Sequence, residues 1–89
     1  MSLDNYSNKT QELIEKLAAI EHERWAHWQS YLHSKCKKNS DGSLTIPKEL
    51  VDKWDKQIAT SYYELTKKEQ DSDREQVMKY LDYIIEFKK

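Results

Sequence analysis

The sequence predicts an all-α fold: a small three-helix domain with a long N-terminal helix, a short middle helix and a C-terminal helix, spanning residues 1–89 as a single unit. Three observations lead there. One Gly and one Pro in 89 residues suit long uninterrupted helices and leave too few turn formers for a sandwich or barrel. Apolar residues recur at helical spacing along most of the chain. Thr66-Lys67-Lys68-Glu69 places a hydroxyl and a carboxylate three residues apart, as in a capping box.

The first helix is expected from Ser7 or Asn8 to about Cys36. Leu13, Ile14, Leu17, Ala18, Trp25, Trp28 and Leu32 fall on one broad stripe at ~100° per residue. Lys37 to Ser43 (KKNSDGS) reads as a loop, because Asn, Ser, Asp and Gly favour turns. Thr45 is the expected N-cap of the middle helix, with Pro47 in its first turn, where a missing N–H costs nothing. Leu50, Val51, Trp54 and Ile58 form that helix's apolar edge, and Ser61 to Glu64 reads as a connector. The C-terminal helix starts at the Thr66 box, or later at a second box, Ser72-Asp73-Arg74-Glu75, and runs to near Phe87. Val77, Met78, Leu81, Ile84 and Ile85 are its expected core face.

Composition narrows the function. Net charge is −1, so no overall basic field draws the chain to nucleic acid. Three Trp and six Tyr argue against a disordered chain despite a mean hydropathy of −1.04. Cys36, the one cysteine, allows no internal disulfide, so a reducing cytoplasm is the default. No signal peptide or membrane-spanning run is evident, which leaves no membrane partner in view.

The stretch IEHERWAHWQSYLH, residues 20–33, concentrates the candidate chemistry. His22-Glu23 opens like a zinc-protease H-E-x-x-H, but the next histidine, His27, is five residues on. That turns the two rings ~140° apart on a helix, whereas paired ligands need a spacing of three or four. His33 returns to the face of His22 but lies ~16 Å along the axis. A metal is excluded on spacing, and no other cofactor is implied. His27 and His33 read as solvent-side residues. His22 reads first as a half-buried histidine hydrogen-bonded inside the fold, with a ligand role as the alternative. Glu21 lies inside the apolar stripe and needs a cation or hydrogen-bond donors. Arg74 is the expected partner across the helices, Arg24 being too close along the same helix; the alternative is that this turn is simply exposed. Trp25, Trp28 and Trp54 are core residues on the plain reading, yet three indoles exceed what so small a core requires. A Trp at the edge of the stripe can present its face to a planar ligand. With no activated nucleophile, no metal set and no paired acids, an enzyme is not expected.

Leu17-Ala18 with Glu21-His22-Glu23-Arg24-Trp25, together with Tyr62, Leu65, Glu69, Asp73 and Arg74 in the second half, resembles the RyR domain. This repeat occurs in pairs in ryanodine receptors and alone in bacterial and bacteriophage proteins. The resemblance spans about residues 12–85. It departs at Ser61, where the family often has Pro, at Gln70, where it often has Lys, and in lacking the glycine-containing loop after the first helix. The resemblance implies a non-enzymatic domain that binds a nucleotide-like, adenine-containing or cyclic-nucleotide molecule, as sensor or as sequestering protein. Trp25 would be the stacking platform, with His22 and Tyr62 beside it, Trp28 near, and Arg74 meeting a phosphate. A lone repeat implies a homodimer. A module for protein interaction or oligomerisation, without a small ligand, is the alternative.

Overall fold

A computed structural model describes residues 3–89. The order is α1 (Asn8–Lys35), β1 (Lys37–Lys38), β2 (Leu44–Thr45), α2 (Lys48–Ala59), a 3-10 turn (Tyr62–Glu64) and α3 (Lys67–Lys88). The all-α expectation of a long, a short and a C-terminal helix holds; the two-residue strands form a small antiparallel hairpin between α1 and α2.

Each boundary has a local cause. Ser7 caps α1, its Oγ accepting from the Thr10 N–H at 3.2 Å. Of the stretch read as a loop, Asn39–Ser43 is the turn of a β-hairpin, while Lys37 and Lys38 pair as β1 with Leu44 and Thr45. Asp41 accepts from the backbone N–H and the hydroxyl of Ser43, which holds its carboxyl below the usual range. Gly42 sits at φ +88°, a backbone region that costs a side chain bearing Cβ but not glycine. This hairpin also corrects the expected cap of α2. Thr45 lies in β2 and accepts from Asn39 Nδ2 at 2.9 Å, so α2 opens at Lys48 with Pro47 in the cap position. The reciprocal box at the head of α3 forms as expected: the Glu69 N–H donates to Thr66 Oγ1 at 3.2 Å, and the Thr66 N–H to Glu69 Oε1 at 3.1 Å. Helix α3 therefore starts at Lys67, and the later Ser72 start is not used.

Helices α1 and α3 pack antiparallel. Lys9 lies over Phe87, Lys16 over Tyr83, and Glu21 meets Tyr80, so the contact on α3 moves back as α1 advances. Ile20, 9% exposed, is the one buried apolar side chain among the described residues. Helix α2 meets the pair where α1 ends and α3 begins. Trp54 meets Trp28 edge to face at 5.5 Å, and Gln57 Nε2 donates to Glu69 Oε2 at 2.6 Å.

The expected core face of α3 is only partly buried: Leu81 is half-buried and Ile84 lies ~40° from Tyr80, while the rest of the stripe is exposed. Val77 and Met78 are 57% exposed, Ile85 50% and Ile84 37%. The face turned to α1 carries Gln76, Tyr80, Tyr83 and Phe87, which share a direction at ~100° per residue. Val77, Leu81, Ile85 and Met78 lie ~60–160° around from Tyr80. The period was right and the direction was off for Val77, Met78 and Ile85, because Tyr80, Tyr83 and Phe87 take the seam beside Ile84.

The whole molecule is open in consequence. Its radius of gyration is 17.6 Å, against about 12 Å for a compact domain of this length. Its accessible surface is 7656 Å², whereas a folded monomer of 10.7 kDa exposes about 5,500 Å².

Candidate functional site

Rotation angle divides the α1–α3 pair into two sides. Measured from Ile20, Leu32, Ile14, Trp25 and Ala18 lie ~120–160° around α1. On α3, Val77, Leu81, Ile85 and Met78 lie the same way round from Tyr80. In an antiparallel pair, the same rotational sense brings both stripes to one side of the seam. The other side carries the charge. Its shallow grooves are lined by Glu12, Lys16 and Glu86 at the open end, and by Glu23, Glu75 and Lys79 toward the closed end. The first side is the more apolar, although Glu21, Lys67, Arg74 and Lys88 share it; the second is the more charged, although Leu13, Tyr83 and Phe87 also line its open-end groove and Tyr31 its other.

Trp25 stands on the apolar side, 58% exposed. His22 lies one turn before it, ring centroids 6.0 Å apart and planes 25° off parallel. His22 itself is exposed, which corrects the expectation of a half-buried histidine; it flanks an indole instead of anchoring the core. Trp28, 43% exposed, is stacked on Tyr31 at 5.5 Å and edge-on to Trp54, which makes it a packing residue at the foot of α2. Tyr62 lies in the 3-10 turn, edge-on to Tyr63 at 5.4 Å. Its carbonyl accepts from Gln70 Nε2 at 2.9 Å. Arg74 donates to Asp71 Oδ1 at 2.7 Å. Of the five candidate ligand residues, only His22 and Trp25 touch one another. Both are exposed, and Trp25 offers an open face. Among the described residues no cluster of three His, Cys, Asp or Glu could hold a metal ion, and no helix is long and apolar enough to cross a membrane.

The expected Glu21–Arg74 bridge is absent. Glu21 pairs with Arg24 one turn along its own helix and accepts from the Tyr80 hydroxyl at 2.5 Å. Register explains the substitution: Tyr80 sits opposite Glu21, and Arg74, six residues earlier, is ~9 Å away along α3. Arg74 turns to Asp71 instead. Tyr80 and Ile20 were the contacts that sequence reasoning missed. The signal was available, since both lie on the α1–α3 seam once the helices are set antiparallel. Nothing in one sequence sets that pairing.

The Arg24 hydrogen bond, then the Tyr80 hydroxyl, hold the Glu21 carboxyl below its usual range. The same carboxylate pushes the Tyr80 phenol up. A lowered acid stabilises the fold above its unfolded pKa of about 4.3 and loses that contribution as pH falls through the folded value. A raised phenol contributes below its unfolded pKa of about 10 and loses that contribution as pH rises through the folded value. Relative to Glu21→Gln, the wild-type melting temperature is expected to hold an advantage across neutral pH and to lose it at both extremes. Paired melts of the two proteins from acid to alkaline pH check this. A constant difference would show that the bond carries no stability.

No protein-family description, curated protein or solved structure matches the chain. The functional reading therefore rests on the residues themselves.

Proposed function

We propose that the chain is a non-enzymatic binding domain whose working surface is the apolar side of the α1–α3 pair, and that this surface takes another protein. The supporting observation is the exposure on that one side: Trp25, Val77, Met78 and Ile85 are each half exposed or more. Soluble monomers seldom leave a contiguous apolar patch beyond a few hundred Å², and Trp and Met are enriched where interfaces form. The single thiol, Cys36, fits a reducing compartment such as the cytoplasm.

Met78 reports on this side directly, because its thioether is oxidised only where peroxide can reach it. Peptide mapping after dilute peroxide should find Met78 oxidised more slowly in the native protein than in urea if the surface is covered. If it is bare, an apolar dye such as ANS should light up on it. Full Met78 reactivity together with no dye binding would refute a binding surface there.

A second reading has its own observation. Trp25 presents an open indole face with His22 alongside, and the resemblance to the RyR domain gives that Trp a stacking role on a nucleotide base. Arg74 lies on the apolar flank of α3, where a phosphate would have to displace Asp71. On this reading the domain senses or sequesters a nucleotide-like molecule.

A further inference from the structure

We infer that the cleft between α2 and the head of α3 is a separate binding site, which takes an acidic peptide segment along its lysines. The cleft lies away from the apolar side of the α1–α3 pair: Lys68 and Ser72 stand ~80–120° from Tyr80 in the sense opposite to Val77 and Met78. The site therefore goes beyond the surface proposed above and does not depend on it.

Two stripes make its walls. Lys53, Lys56 and Gln57 of α2, with Thr60 at its end, recur at the spacing of one helix face. Opposite them stand Leu65 and, on α3, Lys68 and Glu69. The Gln57–Glu69 hydrogen bond at 2.6 Å ties the walls together. The space between them is about 690 Å³, within the range of about 300–1,000 Å³ for ligand sites.

Charge selects the occupant. Among the described residues Lys53, Lys56 and Lys68 form no ion pair. Other lysines of the same helices are paired, Lys48 with Asp52 and Lys67 with Asp71. Those pairs, with Arg74 also on Asp71, use the acids one turn from Lys56 and Lys68. Two carboxylates share the cleft, Glu64 and Glu69. Glu69 is engaged: it accepts from the Thr66 hydroxyl and N–H and from Gln57, and it offsets part of the Lys53 charge. That leaves Lys56, Lys68 and the remainder of the Lys53 field facing Glu64 alone. An anionic partner completes the balance.

Shape selects a chain over a compact anion. Lys53 to Thr60 spans ~10 Å along the helix axis, the length of about three extended residues. The lysines are exposed, so the cleft is open, whereas small ligands bury about 70–90% of their surface. Leu65, half-buried between the lysines, offers an apolar rest for one side chain of the segment.

The test uses the full chain and a fluorescein-labelled heptapeptide of Glu and Asp around one central Leu, followed by anisotropy at low salt. Saturable binding is expected, weakened by about tenfold or more in the double variant Lys56→Glu, Lys68→Glu. Lys79→Glu, in the α1–α3 groove, should stay within about twofold of wild type. The same peptide written with Gln and Asn should not bind. Tripolyphosphate should displace the acidic peptide only as sodium chloride of equal ionic strength does. The inference is overturned by no binding of the acidic peptide, by binding of the neutral one, or by equal loss in Lys79→Glu. Displacement by tripolyphosphate beyond ionic strength also overturns it and assigns the lysines to a compact anion. If the double variant fails to fold, lysine acetylation of the wild type, read by peptide mapping, decides. Bound peptide should slow Lys56 and Lys68 severalfold and leave Lys79 unchanged; uniform protection overturns the site.

Discussion

Trp28→Ala should lower stability by about 2–3 kcal/mol, a fall of about 10–20 °C in melting temperature for a domain of this size. Trp28 packs edge to face on Trp54 and stacks on Tyr31, each at 5.5 Å. Aromatic contacts of this kind add about 0.5–1.5 kcal/mol beyond the area they bury. A fully buried Trp would cost about 3–5 kcal/mol on truncation; Trp28 is 43% exposed, so the loss is smaller. Its distribution is more informative than its size. Trp54 is an apolar contact between α2 and the helix pair, and the Gln57–Glu69 hydrogen bond at 2.6 Å is a polar tether beside it. Without the indole, that bond must hold α2 against the conformational freedom of twelve helical residues. Native-state hydrogen exchange should therefore show the amides of Lys48–Ala59 losing protection while those of α1 and α3 keep most of theirs. Uniform loss in all three helices would mean that α2 is no separate unit.

What the sequence disclosed divides along a physical line. Features set by neighbours in the chain were legible. The capping box at Thr66 and Glu69 and the start of α1 at Ser7 follow from side chains reaching backbone groups within one turn. Features set by the choice of partner were not. The periodicity of α3 located Val77, Met78, Leu81 and Ile85 on one stripe, and the simplest inference was that the stripe faces inward. The seam instead uses Tyr80, whose hydroxyl reaches Glu21, and Tyr83 and Phe87, whose ring faces lie under the Lys16 and Lys9 ammonium groups. Glu21 shows the same limit. Its need for a donor was readable from its place in the stripe, but the choice between Arg74 and Tyr80 depends on helix register, which periodicity does not contain. The β-hairpin was hidden for another reason. Two-residue strands leave no alternation to read, and KKNSDGS looks the same whether the chain wanders or closes on itself.

Trp25→Ala is expected to leave the melting temperature within a few degrees of wild type, because an indole 58% exposed contributes little burial to the monomer fold. Its effect should fall on binding. If a nucleotide-like molecule stacks there, a thermal-shift panel of adenine nucleotides, cyclic di- and trinucleotides and cyclic ADP-ribose isomers should contain a ligand that stabilises the wild type. At ~100 times its dissociation constant, such a ligand adds ~2.7 kcal/mol, more than 10 °C here. The shift should vanish in Trp25→Ala, and Arg74→Ala should weaken it if Arg74 leaves Asp71 for a phosphate. An absent shift across the panel would remove the nucleotide reading. Measuring mass beside melting makes the experiment decide more. If two copies pair through this indole, as the resemblance to the RyR domain implies, a second copy and a planar ligand compete for it unless the ligand is held between them. Competition predicts that ligand drives the mass of the wild type down toward a single chain. A ligand held between copies predicts the reverse, with dimer persisting at dilutions that separate the free protein. Loss of dimer in Trp25→Ala with no ligand found would assign the indole to the contact between copies, and the apolar side would then have one occupant.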